Sequence, residues 1–196
     1  MIQTSGRDLL ALVDDLLDLG KLEAPEPSFD LKEVDVDRVT ADCVARFKPS
    51  ARERGIDLRF APGGAGRITA DRRRVEQVVT NLLSNAVKFT ERGYIEVSTS
   101  GGVDSIEILV ADTGPGIDPE VLPRVFDEFV STVSRSREGG TGLGLAICRE
   151  IVTQHGGDIS VRTRHGEGTV FAVTLPRSPQ LPIDGTGRQS PASGIL

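Results

Sequence analysis

The sequence predicts a mixed α+β fold, and three observations carry that expectation. The runs IDLRFA, YIEVSTS and SIEILVAD alternate apolar and polar residues, the two-residue period of half-buried strands. Between them lie stretches whose apolar residues recur every three or four positions, the period of helices packed on one face. Strands and helices interleave along residues 37–176 without any internal repeat.

In chain order, residues 5–22 (SGRDLLALVDDLLDLGKL) read as an amphipathic helix. Leu9, Val13, Leu16 and Gly20 recur at about 3.5-residue spacing, and Leu10 and Leu17 widen the stripe. A helix this short does not hold alone in water, so it needs a partner helix. Pro25 and Pro27 mark a linker over 25–36, in which FDL opens an extended stretch. A helix over about 37–53 stops at Gly55 and is followed by IDLRFA (56–61), a strand. GRITAD is a second short strand, leading into a long helix at about 71–89. YIEVSTS (94–100) and SIEILVAD (105–112) are strands joined through Gly101 and Gly102. A short helix is expected around 118–129, then a polar, glycine-rich loop, SRSREGGTG. GLGLAICREIVTQH is a helix ending at Gly156 and Gly157, and DISVRTRHGEGTVFAVTL is a hairpin turning at His165 and Gly166. After Pro176 the composition shifts to Pro, Ser, Gly and Gln, which reads as a disordered tail over 178–196.

The chain has 196 residues with 38% hydrophobic and 4% aromatic content, enough for one aliphatic core. Its 23 basic and 29 acidic residues leave a net charge of −6, which argues against a nucleic-acid partner. The one basic run, Arg72-Arg73-Arg74, is expected on a solvated first helical turn. No apolar run reaches the length of a bilayer span and no signal peptide opens the chain. Cys43 and Cys148 lie far apart without metal-ligand spacing, as expected of small buried hydrophobes in a reducing, cytoplasmic compartment.

Three stretches carry chemistry. On a helical wheel of 74–90, Arg74, Gln77, Asn81, Ser84, Asn85 and Lys88 share one arc, opposite Val75, Val78, Val79, Leu82, Leu83, Ala86 and Phe89. A solvated face would give the same division, but such faces are usually rich in Glu and Lys, and this one carries amides. Amides offer neutral oxygens to a hard cation and donors to a phosphate, and Lys88 adds charge. In VADTGPGI (110–117) a strand ends in a carboxylate before a Gly-Pro-Gly turn. A plain strand-to-helix turn uses these residues too; alternatively Asp112 accepts a hydrogen bond from an exocyclic amine such as that of adenine, and Gly114 and Gly116 let backbone approach the ligand. In GGTGLGL (139–145) glycines run directly into a helix, where backbone N–H groups favour an anion such as a phosphate chain. A flexible linker is the other reading, although a linker would not lead straight into an apolar helix.

Taken together, the order and spacing of these stretches resemble the ATP-binding catalytic domain of sensor histidine kinases, within the superfamily shared with gyrase, Hsp90, mismatch-repair and anti-sigma kinase ATPases. DRRRVEQVVTNLLSNAVKFT resembles the N box, DTGPGI the first glycine box, FDEF (126–129) the F box and GGTGLGL the second glycine box, and GEGTVF (166–171) completes the set. The resemblance covers roughly residues 37–176. It implies a two-layer sandwich of the Bergerat type, a mixed sheet with helices on one face, preceded by one N-terminal helix. It also implies ATP and Mg²⁺ as cofactors. Asn85 would ligate the metal, and Asn81 and Lys88 would contact phosphate or metal-bound water as the catalytic pair. Asp112 would read the adenine amino group, helped by a water and Thr169, in a pocket shaped by Gly114 and Gly116. Gly140, Thr141, Gly142, Leu143 and Gly144 would form the phosphate-facing end of a lid over 130–139, with Arg135 or Arg137 reaching the γ-phosphate. Phe126 and Phe129 would pack the lid base or serve as ordinary core.

The hydrolytic branches carry a glutamate where Asn81 stands, and an amide cannot take a proton from water at neutral pH. The γ-phosphoryl is therefore expected to wait for a histidine. Neither His155 nor His165 lies in a phosphoacceptor pattern, so the chain itself supplies none. By resemblance, residues 1–24 are the second helix of a dimerisation and phosphotransfer hairpin, 25–36 a linker, 37–177 the catalytic domain and 178–196 the tail. The expected partners are a histidine-bearing hairpin, in trans or in a longer parent, and a response-regulator receiver domain; a homodimer through 5–22 is compatible. Two alternatives remain. A serine kinase of the anti-sigma type is disfavoured by Asn81 and the N-terminal helix. A non-catalytic, nucleotide-gated module is disfavoured by the intact Asn81, Asn85, Lys88 and Asp112.

Overall fold

The structure, a computed structural model, describes residues 12–13, 15–20, 22, 29–130 and 141–178. Its strands are β1 (Leu31–Asp35), β2 (Ile56–Ala61), β3 (Arg67–Asp71), β4 (Gly93–Gly101), β5 (Ser105–Asp112), β6 (Asp158–Arg164) and β7 (Gly168–Pro176). Three helices join them: α1 (Val36–Glu53), α2 (Arg72–Phe89) and α3 (Gly144–Gln154). The main sheet has the order β2-β4-β5-β7-β6; β2 runs parallel to β4 and the other pairs are antiparallel. Alternation puts Ile95, Val97 and Thr99 of β4, Ile106, Ile108 and Val110 of β5, and Phe171, Val173 and Leu175 of β7 on one buried face. The helices cover that face with a matching layer that includes Val39, Val79, Leu82, Leu83, Ile147 and Ile151. Each such burial contributes about 1.5–3 kcal/mol. The result is the expected two-layer α+β sandwich with a mixed sheet.

Both long helices start on an aspartate. Asp35 accepts from the N–H of Arg38 (3.0 Å) to open α1, which ends with Gly55 in the left-handed conformation (φ 72°). Asp71 accepts from the N–H groups of Arg73 (2.9 Å) and Arg74 (3.3 Å) to open α2. Its other oxygen accepts from the N–H of Asp30 (3.1 Å), so one carboxylate ties the entering chain to the helix. The backbone N–H of Asp71 donates to Nε2 of His155 (3.2 Å), and Nδ1, which then carries the proton, faces the carbonyl of Ile151 (2.8 Å). Phe29 meets the imidazole edge-on with centroids 4.8 Å apart.

Several elements differ from the sequence-based expectation. The stretch 25–36, expected as linker, contains β1, which pairs antiparallel with β3 as a separate two-stranded ribbon. That ribbon is tied to the main sheet through Arg177, whose guanidinium donates to the carbonyls of Ala65 (3.1 Å), Arg67 (3.0 Å) and Gly102 (2.8 Å). The helix expected around 118–129 is only a 3₁₀ turn, Leu122–Arg124, because Pro119 and Pro123 withhold backbone donors. On α2, Val87 rather than Phe89 completes the buried face. Arg72 and Arg73 are exposed as expected, but Arg74 is half-buried. Cys43 and Cys148 are free and fully buried.

Of the N-terminal helix expected over 5–22, residues 12–13, 15–20 and 22 are helical, and the rest lie outside the described residues. Leu19 and Leu22 bury against the domain, whereas Val13, Leu16 and Leu17 stay exposed. The expected stripe thus faces away from the domain, and a second apolar edge docks the helix. The tail from residue 179 lies outside the described residues, and among those described no helix is long and apolar enough to cross a membrane.

Burial, the first cause, lowers the pKa of His155 from the usual 6.5. The Asp71 carboxylate and the Ile151 carbonyl oppose that shift, while Arg74 adds to it. Because the folded value is lowered, the stability His155 contributes is present above about 6.5 and is lost as pH falls through the lowered value. His155→Ala should cost about 1–3 kcal/mol at pH 8 by orphaning the Asp71 N–H. It should also flatten the fall in melting temperature between about pH 6.5 and 5. Thermal melts of parent and variant across that range check both.

Candidate functional site

The polar arc of α2 divides into two halves. Towards its N-terminus, Gln77 donates to Asp18 of the N-terminal helix (3.0 Å) and Arg74 pairs with the same carboxylate (3.7 Å). These two residues therefore hold the helix rather than a ligand. Towards the C-terminus, Asn81 donates its amide to the Gly144 carbonyl (3.1 Å), and the thiol of Cys148 faces the Val78 carbonyl (3.8 Å). Burial pushes Cys148 up to about 12, so it remains a thiol. With its NH₂ committed to α3, Asn81 leaves its oxygen as the free acceptor. Asn85 is half-buried on the same arc, and its carboxamide makes no hydrogen bond among the described residues. Lys88 is half-buried one turn further on, with its ammonium 5.0 Å from the Phe89 ring centroid.

Three close approaches bring the other motifs onto this helix end. A Cβ at Gly114 would lie 2.8 Å from Oδ1 of Asp112 and 3.1 Å from the Phe89 carbonyl, so the first glycine turn abuts the end of α2. A Cβ at Gly144 would lie 3.7 Å from the Asn81 amide. Gly142 (φ 73°) would meet the Phe129 backbone at 2.9 Å. The second glycine stretch is thereby wedged between α2 and the F-box segment. A side chain at Gly116 would strike the Arg164 carbonyl (2.5 Å), and one at Gly168 the Asp112 carbonyl. Gly114 and Gly116, expected to admit a ligand to the backbone, are thus needed first for the chain's own packing.

At the sheet edge of the site, Asp112, Thr169 and Thr163 form a row across β5, β7 and β6, since the register pairs Asp112 with Thr169 and Thr169 with Thr163. Oδ1 of Asp112 accepts from the Gly114 N–H (2.8 Å), and the carboxylate also accepts from the Thr169 backbone. Burial, the largest cause, raises the Asp112 pKa against the opposing effect of those two bonds. Both bonds come from N–H donors, so acceptor capacity remains for a further donor such as an exocyclic amine.

α3 begins without a side-chain cap from Leu143, which leaves first-turn N–H groups for an anion. Leu143 itself is fully buried, so its side chain belongs to the core; its N–H is taken by the Thr141 hydroxyl (3.2 Å). That hydroxyl donates to Asp15 of the N-terminal helix (2.7 Å). Arg135, Arg137 and Gly140 lie outside the described residues. Phe126 packs edge-on against Phe171 (6.2 Å), but Phe129 is 61% exposed at φ 59° and stands outside the core of the described residues. A groove of about 300 Å³ between Leu19, Phe126, Asp127, Ala146 and Arg149 is lined by none of Asn81, Asn85, Lys88 or Asp112. It is the seam between helix and domain, and the site's chemistry lies elsewhere.

Among the described residues no three His, Cys, Asp or Glu side chains cluster to hold a metal. The donor set still fits a cation that keeps its waters and arrives with phosphates, as Mg²⁺ does, with the Asn85 carboxamide oxygen as the protein ligand. Sequence reasoning missed Asp15, Asp18 and Thr163. The first two lie within a run of acidic residues on an amphipathic helix, and only their contacts distinguish them. Thr163 carries a faint signal, since the strand period places it level with Thr169.

The family described as "Histidine kinase-, DNA gyrase B-, and HSP90-like ATPase" matches residues 70–179. "Histidine protein kinase DivJ" of Caulobacter vibrioides is 38% identical over 181 residues, 90% of this chain and 30% of DivJ. Full-length ShkA, solved in complex with AMPPNP, is 34% identical with a TM-score of 0.80 over 91% of this chain and 38% of ShkA. The catalytic domain of the histidine kinase ThkA in a nucleotide-free form is 31% identical with a TM-score of 0.69 and is covered completely by 77% of this chain. ThkA in complex with the response regulator protein TrrA is 27% identical with a TM-score of 0.75, over 91% of this chain and 50% of ThkA. The chain spans about a third or less of the length of the curated relatives it matches.

Because its folded pKa is raised, Asp112 favours the folded state below the usual carboxylate range, and that contribution is lost as pH rises through the raised value. Asp112→Asn should therefore melt a few degrees higher than the parent at pH 7 in the absence of ligand, with the gap closing near pH 4. Paired melts at the two pH values test this.

Proposed function

The chain belongs to the histidine kinase-, DNA gyrase B-, and HSP90-like ATPase family, in its sensor histidine kinase branch, and on that premise we propose that it is the Mg-ATP-binding catalytic module of a protein-histidine kinase. The observation that carries the reading is the α2 arc, where Asn81, Asn85 and Lys88 present amides and an ammonium beside the uncapped start of α3. Phosphates resting there would meet first-turn N–H groups and Lys88, and the exocyclic amine of adenine would donate to Asp112. Asn85 would hold Mg²⁺, which when bound neutralises phosphate charge.

The same arc explains why solvent is a poor acceptor. The group nearest α3 is an amide whose N–H already donates to Gly144, and it cannot serve as a general base. Both nitrogens of His155 are engaged and the residue is 3% exposed, while His165 sits on an exposed turn. The γ-phosphoryl then goes to a histidine on a hairpin, supplied by a partner or a longer parent chain, and onward to a response-regulator aspartate; the solved complex of ThkA with the response regulator protein TrrA supports a partner of that kind. The described part of the N-terminal helix is read as the second helix of such a hairpin, with Val13, Leu16 and Leu17 as its free edge. The buried, free Cys43 and Cys148 fit a reducing cytoplasm.

Incubating the chain with labelled Mg-ATP and a histidine hairpin should give an acid-labile phosphoprotein, with slow hydrolysis when no acceptor is present. Rapid turnover without the acceptor, or an acid-stable product, would refute the reading. Asn85→Ala should weaken Mg-ATP binding by about tenfold or more while leaving the melting temperature within a few degrees. Chelation of Mg²⁺ should weaken the parent to a similar degree, as read by calorimetry.

A further inference from the structure

The hydroxyl of Thr163 has one proton and three neighbours. It accepts from the N–H of Ile117 (2.9 Å), donates to the carbonyl of Gly168 (2.9 Å), and lies 3.2 Å from the hydroxyl of Thr169. A carbonyl can only accept and a backbone N–H can only donate, so the single Thr163 proton is committed to Gly168. The remaining bond must run the other way, with Thr169 donating to Thr163. Having spent its own proton, the Thr169 oxygen can then only accept from anything on its open side. Thr169 is 5% exposed and stands next to Asp112 in the β5–β7 register, on the same inner face of the sheet. Asp112 is also an acceptor, already holding N–H donors from Gly114 and Thr169.

We propose that Thr163 is a positioning residue for base selection: by fixing the proton of Thr169, it makes the Asp112–Thr169 edge of the site accept only, so that the site takes a purine presenting an amino group and refuses one presenting a carbonyl at that edge. The inference rests on the adenine-nucleotide reading above and adds the residue that sets its selectivity. Thr163 need not touch the nucleotide. It acts through Thr169, and through the Ile117 N–H it also holds the end of the DTGPGI turn. A carbonyl-bearing base would place its oxygen against a carboxylate and an oxygen without a proton to give, leaving acceptors facing acceptors.

The test is binding of ADP and of inosine diphosphate, which carries a carbonyl oxygen where adenine has its amino group, each with Mg²⁺, to the whole chain. Thr163→Val frees the Thr169 proton to turn into the site. It should weaken ADP binding severalfold and narrow the preference of ADP over inosine diphosphate by roughly tenfold. Thr163→Ser keeps the hydroxyl and should retain the parental preference. In a Thr169→Val background, Thr163→Val should leave the preference unchanged, because the residue through which it acts is gone. A folded Thr163→Val chain with the parental preference overturns the proposal, as does a Thr163→Ser chain that behaves like valine. An undiminished effect of Thr163→Val in the Thr169→Val background overturns it too. If valine prevents folding, Thr163→Ala carries the same comparison. Failure of the parent to bind ADP at all would instead sink the nucleotide reading itself, and the two failures are told apart by that control.

Discussion

The site depends on backbone approaching backbone more closely than any side chain permits. At Gly168 a Cβ would collide with the Asp112 carbonyl, and at Gly114 with both the Asp112 carboxylate and the end of α2. At Gly142 it would collide with the Phe129 backbone. These contacts draw β5, β7, α2 and the start of α3 towards one point, and the polar groups converge because the backbones do. Interiors this dense transmit a displacement rather than absorb it, so one added methyl group would push apart elements that each carry part of the site.

Within that frame the polar groups are used economically. The Asn81 amide satisfies the Gly144 carbonyl on the inside and keeps its oxygen for the outside. Asp112 is less comfortable, because burial raises its pKa and ionisation costs the folded protein some stability. A buried acceptor that waits for a donor is a common signature of a binding edge, where stability and recognition compete. His155, also buried, has both nitrogens matched by the chain and is structural.

The strands most legible in the sequence were those with clean alternation between glycines. IDLRFA and SIEILVAD coincide with β2 and β5 residue for residue, and α1 and α2 lie within a residue of their expected starts. The placement of Asn85 and Asp112 was legible too: the helical period puts Asn85 on the polar arc of α2, and the alternation of SIEILVAD puts Asp112 at the end of β5. What could not be read depends on distant partners. FDL reads as opening an extended stretch, and β1 starts there, but nothing in LKEVD announces that its partner is β3. DPEVLPRVFDEF has helical composition, yet its two prolines limit it to a single turn of 3₁₀. Phe129 was expected to pack and instead stands exposed at positive φ, with Gly142 close against its backbone, and nothing in FDEF announces that approach. The roles of Asp15, Asp18 and Thr163 are contacts between segments far apart in sequence or between adjacent strands, and no local pattern encodes them.

The Arg177 guanidinium reaches carbonyls on both sides of the gap between the β1–β3 ribbon and the β4–β5 hairpin, and its own carbonyl accepts from the Thr69 N–H (2.8 Å). The ribbon ends at Asp71, the residue that starts α2, so this clamp lies one step from the helix bearing Asn81 and Asn85. Anyone excising the domain should therefore place the C-terminal cut by this arginine and not by the change in composition after Pro176. A fragment one residue too short would keep every strand yet lose the rivet that joins its two sheets.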